Sequence, residues 1–119
     1  MNEELMLRLN LLLGAGEIDQ EILDSVEAFS ILLEERYQLR LTEEKGSMLI
    51  THLAMSLARI KRGEAIEEMD PGVLSEIKEN RVYQDLPLLY AAIEERLNIA
   101  LPESEKGYIA LHICSLLAQ

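Results

Sequence analysis

The stretch EERYQLRLTEEKGSMLITHL, residues 34–53, has a second version in the same chain, EERLNIALPESEKGYIALHI, residues 94–113. Aligned at an offset of 60 residues without gaps, the two stretches are identical at six of twenty positions. Amphipathic helices resemble one another by chance, but a histidine at the same place in both copies favours an internal repeat. The identical positions are Glu34/Glu94, Glu35/Glu95, Arg36/Arg96, Leu41/Leu101, Glu43/Glu103 and His52/His112.

Each copy of the repeat predicts a helical hairpin, with a helix that ends in EER, a tight loop, and a second helix with a histidine near its middle. One hairpin alone would leave its apolar face exposed, so we expect the two hairpins to pack together. The sequence therefore predicts an all-α fold, a pseudo-symmetric antiparallel bundle. A short helix near residues 71–80 would join the two hairpins.

Capping residues predict where the helices begin and end. Asp19, Thr42 and Asp70 are the predicted N-caps, because short polar side chains accept hydrogen bonds from the first turn of a helix. Pro71 and Pro102 suit the first helical position, where a backbone N–H has no partner. Glycines would end the first and third helices. The predicted helices cover residues 5–13, 19–37, 42–63, 71–80, 85–98 and 102–117.

The chain has 119 residues, which fits one domain over residues 1–119, with a core of about 17–119 and a short N-terminal extension, 1–16. It carries 22 acidic against 11 basic residues, a formal net charge of -11. Since nucleic-acid affinity comes mainly from basic side chains that neutralise phosphates, we expect no direct binding to DNA or RNA.

Several features predict a cytoplasmic protein. No apolar run approaches the roughly 18 residues that span a bilayer, and the first residues lack the basic region of a signal peptide. The single cysteine, Cys114, lies in an apolar run, which predicts a buried and unreactive thiol in a reducing compartment. We expect neither membrane association nor a disulfide.

The first histidine lies in ITHLAMSLARIKRGE, residues 50–64. This stretch resembles the first histidine motif of the phosphotransferase-system regulation domain, or PRD. In that motif a histidine precedes an apolar stretch, and an arginine follows two helical turns later. His52 and Arg59 occupy these positions.

The second histidine lies in LPESEKGYIALHI, residues 101–113, which resembles the second motif of the same domain. There an acidic residue and a glycine precede an apolar run that ends in histidine, and Glu105, Gly107 and His112 match them. The resemblance covers roughly residues 17–119. It implies a five-helix bundle built from two antiparallel helix pairs with pseudo-two-fold symmetry, which forms homodimers.

The resemblance also implies a function. In PRD proteins, histidines are phosphorylated by the phosphocarrier protein HPr or by sugar-specific components of the phosphotransferase system. The phosphorylation state of these histidines couples sugar transport to transcription. Family members usually carry two such domains beside a module that binds RNA or DNA. This chain contains one copy, so it resembles a stand-alone regulation domain that acts through partner proteins. We expect no enzymatic activity and no cofactor.

The residue types suit phosphoryl acceptance. Neutral imidazole is a nucleophile near pH 7, because its ordinary pKa is about 6.5. We therefore predict His52 and His112 as phosphorylation sites. Arg59 follows His52 by seven residues, two turns along the same helix face, and is the predicted cation near the phosphate. Glu105, near the start of the last helix, is expected to stabilise the helix dipole.

Other interpretations remain open. A histidine on a helix often has only a structural role. The helix at EIDQEILDSVEAFSILLEER superficially resembles the first helix of all-helical chorismate mutases, but such enzymes need several converging basic side chains, and here only Arg36 is present. A metal site at the two histidines lacks His-x-x-x-His or Glu-x-x-His spacing. The main alternative is an interaction or dimerisation module that is not phosphorylated and docks on a transporter component or a larger regulator.

Overall fold

The computed structural model describes residues 1–64 and 71–118, without the side chains of residues 71, 73 and 74. This part of the chain consists of helices joined by short loops, which confirms the predicted all-α class. The described helices are α1 (Glu3–Gly14), α2 (Gln20–Tyr37), α3 (Glu43–Lys61), α4 (Pro71–Glu79), a short 3-10 helix (Arg81–Asp85), α5 (Leu86–Leu97) and α6 (Glu103–Leu117).

The capping predictions for the first hairpin are confirmed. The Asp19 side chain accepts a hydrogen bond from the backbone N–H of Ile22 at 2.9 Å, and α2 follows directly. Thr42 Oγ1 accepts from the N–H of Lys45 at 3.0 Å and begins α3. Both bonds supply partners for N–H groups that have none inside the helix. The predicted cap Asp70 lies outside the described residues.

The core lies where α2 and α5 pack against each other, with α3 against α2 and α6 and with α4 against α6. Its largest fully buried side chains include Phe29, Leu33, Ile50, Leu53, Leu57, Leu89, Ile93 and Ile109. These residues recur at helical spacing, so each helix buries one face and exposes the other.

The N-terminal segment, predicted as an extension of the core, packs into it. Leu5 and Leu9 of α1 are completely buried, and α1 contacts α3 and α2. Six α-helices are therefore described, one more than the five implied by the family resemblance. The grouping of the helices into two antiparallel pairs with a pseudo-two-fold axis stays a prediction.

The loops of the two repeats share specific contacts. Glu34 Oε2 accepts a hydrogen bond from the N–H of Leu41 at 2.8 Å, and Glu94 Oε2 accepts from the N–H of Leu101 at the same distance. The C-cap residues that follow α2 and α5 are also 60 positions apart. Both adopt the left-handed conformation, with φ of 53° at Gln38 and 52° at Asn98. The repeat in the sequence thus has a counterpart in local structure.

Candidate functional site

The structure brings the two predicted histidines together. His52 lies on α3 and His112 on α6, and the packing of these helices places the ring centroids 5.4 Å apart, with the planes tilted by 42°. The ring of Tyr108, one turn before His112 on α6, lies 5.2 Å from the ring of His52. Residues 60 positions apart in the sequence therefore form one cluster.

A buried carboxylate connects the two helices at this cluster. Glu105 is 0% exposed, and its Oε1 lies 2.9 Å from Nε2 of His52. Its other oxygen, Oε2, has no hydrogen-bond partner in the described part of the chain. Glu105 does lie in the first turn of α6, as a helix-dipole role requires. The sequence did not predict its burial or its contact with His52, and these make it part of the site.

Arg59 reaches the site through a serine. Its Nη2 donates a hydrogen bond to Ser56 Oγ at 3.2 Å, and Ser56 Oγ lies 3.3 Å from Nε2 of His52. Ser56 is fully buried one turn after His52 on α3. The guanidinium is therefore linked to the His52 ring through Ser56. The role of Arg59 as the cation near a phosphate on His52 stays a prediction.

The hydrogen bonds favour one tautomer of His52. When Glu105 is ionised it only accepts hydrogen bonds, so in neutral His52 the proton lies on Nε2, which donates to Oε1 of Glu105. The other ring nitrogen, Nδ1, then keeps a lone pair. An oriented neutral imidazole of this kind is the form that a phosphoryl acceptor needs.

His112 is held in its neutral form. Burial lowers the pKa of His112 below the ordinary 6.5, and the electrostatic interaction with His52 lowers it further. The carboxylate of Glu105 opposes both effects and raises the pKa of His112. The imidazole of His112 is consequently uncharged at neutral pH.

Both rings can be reached from outside. The side chain of His52 is 27% exposed. His112 lines a shallow cavity of about 120 Å³ together with Lys45 and the exposed side chain of Met48. A macromolecular partner could therefore approach the pair across the face formed by α3 and α6.

Other chemistry finds little support in the described residues. They contain no group of three or more His, Cys, Asp or Glu side chains arranged to hold a metal ion. Cys114 is half-buried, and burial raises the pKa of its thiol, which keeps it protonated. Among the described helices, none is long and apolar enough to cross a membrane.

The sequence profile of the PRD domain matches residues 27–116, which is most of the chain. The chain belongs to the PRD domain family. The matched residues of this PRD domain include both histidines, Glu105 and Arg59.

Two relatives match nearly the whole chain. The uncharacterized protein YhfY of Escherichia coli (strain K12) is 32% identical over 109 residues, which cover 92% of this chain and 91% of YhfY. An uncharacterized protein of Haemophilus influenzae (strain ATCC 51907 / DSM 11121 / KW20 / Rd) is 22% identical over 103 residues, which cover 87% of this chain and 82% of the relative. No solved structure matches the chain significantly.

Proposed function

We propose that this PRD domain is a regulatory phosphoryl acceptor of the sugar phosphotransferase system. In this proposal the phosphocarrier protein or a sugar-specific transport component phosphorylates His52 or His112. The phosphorylated domain then influences the transcription of genes for carbohydrate use through partner proteins. The contact between the two histidine rings, which come from equivalent positions of the repeat, carries the proposal.

The chemistry requires only the imidazole. An unprotonated ring nitrogen of the acceptor histidine forms a bond to the phosphorus atom. The bond between phosphorus and the donor side chain breaks, and the donor side chain keeps its electron pair. The transfer changes no oxidation state, so the step needs neither an oxidant nor a reductant. Glu105 supports the step because its hydrogen bond orients the His52 ring before the donor arrives.

Charge supplies a means of regulation. Phosphorylation of Ser, Thr or Tyr adds roughly -1.5 to -2 charge and three acceptor oxygens, and phosphorylation of histidine should act similarly. The new charge would lie beside the Ser56–Arg59 hydrogen bond and the buried carboxylate of Glu105. We propose that Arg59 then leaves Ser56 and donates to the phosphoryl oxygens. Such a rearrangement would alter the surface that partners contact.

The same surface suits a protein partner. Met48, one turn before His52, is 75% exposed, and Leu111, next to His112, is 40% exposed. Contiguous exposed apolar patches mark protein interaction sites, and we propose that these two side chains contribute to one. We propose that the donor, and a second copy of the domain in a homodimer, use this face. Docking without phosphorylation is the alternative function that the same residues support.

Phosphate labelling tests the proposal. The protein is incubated with phosphoenolpyruvate that is labelled in its phosphoryl group, with the kinase that uses phosphoenolpyruvate, and with the phosphocarrier. Parallel reactions also contain the sugar-specific components. We expect label on the wild type and none on the double variant His52→Gln/His112→Gln. A folded control, Arg96→Ala, changes an exposed residue at the end of α5 and should label normally. Absence of label with every donor would leave the docking function in its place.

A further inference from the structure

The distance between the two rings limits how much charge the site can hold. Their centroids are 5.4 Å apart, which is less than the roughly 8 Å Debye length at physiological ionic strength. Two phosphoryl groups, one on each ring, would each add roughly -1.5 to -2 charge. Salt would screen the repulsion between them only weakly at this separation.

The charged side chains around the two rings provide no excess positive charge to stabilise a second phosphoryl group. Arg59 is linked to His52 through Ser56, and Lys45 lines the cavity at His112. Against these two cations stand Glu105, which contacts His52, and Glu44, which lines the same cavity as Lys45. The two pairs cancel, so the first phosphoryl group already makes the cluster strongly negative.

Glu105 makes the limit stricter. It is 0% exposed, so bulk water does not reach its carboxylate, and one of its oxygens has no hydrogen-bond partner among the described residues. Its carboxylate also acts on both rings, through the hydrogen bond to His52 and through its electrostatic effect on His112. A phosphoryl group on either ring therefore meets the same buried negative charge.

We propose that His52 and His112 form one shared phosphoryl site, which carries a phosphoryl group on either ring but never on both. This proposal rests on the phosphorylation proposed above. It gives the domain three states in place of four, since a donor that modifies one histidine closes the site to a donor that prefers the other. Two inputs to the domain would then exclude each other.

Intact-protein mass spectrometry at saturating donor measures the number of phosphoryl groups per chain. We expect a single group on the wild type, and up to one on each of His52→Gln and His112→Gln. The labelling of the two single variants would then add up to more than that of the wild type. Circular dichroism melts establish that each variant is folded before labelling.

The possible failures differ from one another. Two phosphoryl groups on one wild-type chain would overturn the shared site and leave the proposed function intact. A single variant that takes no label would also overturn it, because only one histidine would then be an acceptor. No label on the wild type with any donor would remove the proposed function itself.

Removal of the buried charge tests the electrostatic cause. Glu105→Gln keeps the size of the side chain and deletes its charge, so a doubly phosphorylated species should become detectable. Glu103→Gln is the matched control, since Glu103 lies two residues earlier on α6 and its side chain is 91% exposed. It should behave as the wild type does. A folded Glu105→Gln protein limited to one phosphoryl group would contradict the assigned cause.

Discussion

Glu105 is completely buried on α6, and its Oε1 lies 2.9 Å from Nε2 of His52 on α3. This hydrogen bond joins a residue of the first copy of the sequence repeat to a residue of the second copy. A buried carboxylate is costly unless it is paired, and here its partner is the imidazole of His52. Structure and proposed chemistry therefore depend on the same pair of side chains.

The first prediction concerns the pKa of His112. Burial and the neighbouring His52 lower it below 6.5, while Glu105 raises it. Loss of the carboxylate in Glu105→Gln should therefore lower the pKa of His112 further, and Glu103→Gln should leave it unchanged. NMR titration of the imidazole resonances measures both values. An unchanged pKa of His112 in Glu105→Gln would show that the carboxylate does not act on this ring, and a higher one would reverse the sign of its effect.

The same pKa predicts how stability depends on pH. A histidine with a depressed pKa in the folded state binds fewer protons there than in the unfolded chain. Its contribution to stability is therefore present above the unfolded pKa of about 6.5 and is lost as pH falls through the lower, folded value. Urea unfolding from about pH 7 to pH 5 should show a decrease that is smaller in His112→Gln. An equal slope in both proteins would contradict the assignment.

Arg59 should stabilise the phosphorylated form. Its hydrogen bond to Ser56 links the guanidinium to the ring of His52. A hydrogen bond to a charged group contributes about 1.5–3 kcal/mol, so Arg59→Ala should lower the equilibrium constant for phosphorylation by about ten- to a hundredfold. Arg96→Ala, the exposed control, should have no effect. Quantitative labelling against a phosphocarrier of known phosphorylation level provides the comparison.

Much of the fold was predictable because local rules decide it. The caps at Asp19 and Thr42 and the helix that ends at Tyr37 follow from residue types and apolar spacing. The repeat also predicted equivalent positions for His52 and His112. Their contact could not be derived from that equivalence, because it depends on how α3 and α6 pack across the core.

The remaining site residues were missed for a physical reason. Glu105 is an acid in the first turn of a helix, where exposed acids are common, and nothing in the local sequence shows that α3 covers it. Ser56 likewise lies in an apolar stretch without any distinguishing feature. The available signal was the match of Glu105 to the second PRD motif. Tertiary packing alone decides which acid becomes buried.

Gly46 should resist replacement even by alanine. A Cβ there would lie 3.2 Å from Cβ and Cδ2 of Leu41 and 3.4 Å from Cδ1 of Leu5, and both leucines are fully buried. Alanine gains about 1 kcal/mol of helix propensity over glycine, but the crowding of an immobile core should outweigh it. Gly14→Ala, with no atom within 4 Å of the new Cβ, isolates the propensity effect. Thermal melts should move in opposite directions for the two variants.

The last prediction concerns the loop glutamates of the repeat. Glu34 Oε2 accepts the N–H of Leu41, and the carboxylate is only 17% exposed, so Glu34→Ala should leave a partly buried donor unpaired. The expected loss of stability is about 1–3 kcal/mol, whereas the exposed neighbour Glu35→Ala should change stability by less than about 0.5 kcal/mol.

The second hairpin offers the same comparison. Glu94 makes the equivalent bond to Leu101, and Glu95 is its exposed neighbour. If the repeat reflects a shared way of closing the loop, Glu94→Ala should lose stability in urea unfolding while Glu95→Ala does not. The loss at Glu34 should be the larger of the two, because Glu34 Oε1 also pairs with the amino group of Met1 at 2.6 Å. A loss confined to one hairpin would show that the matching hydrogen bonds differ in energy despite their equal lengths.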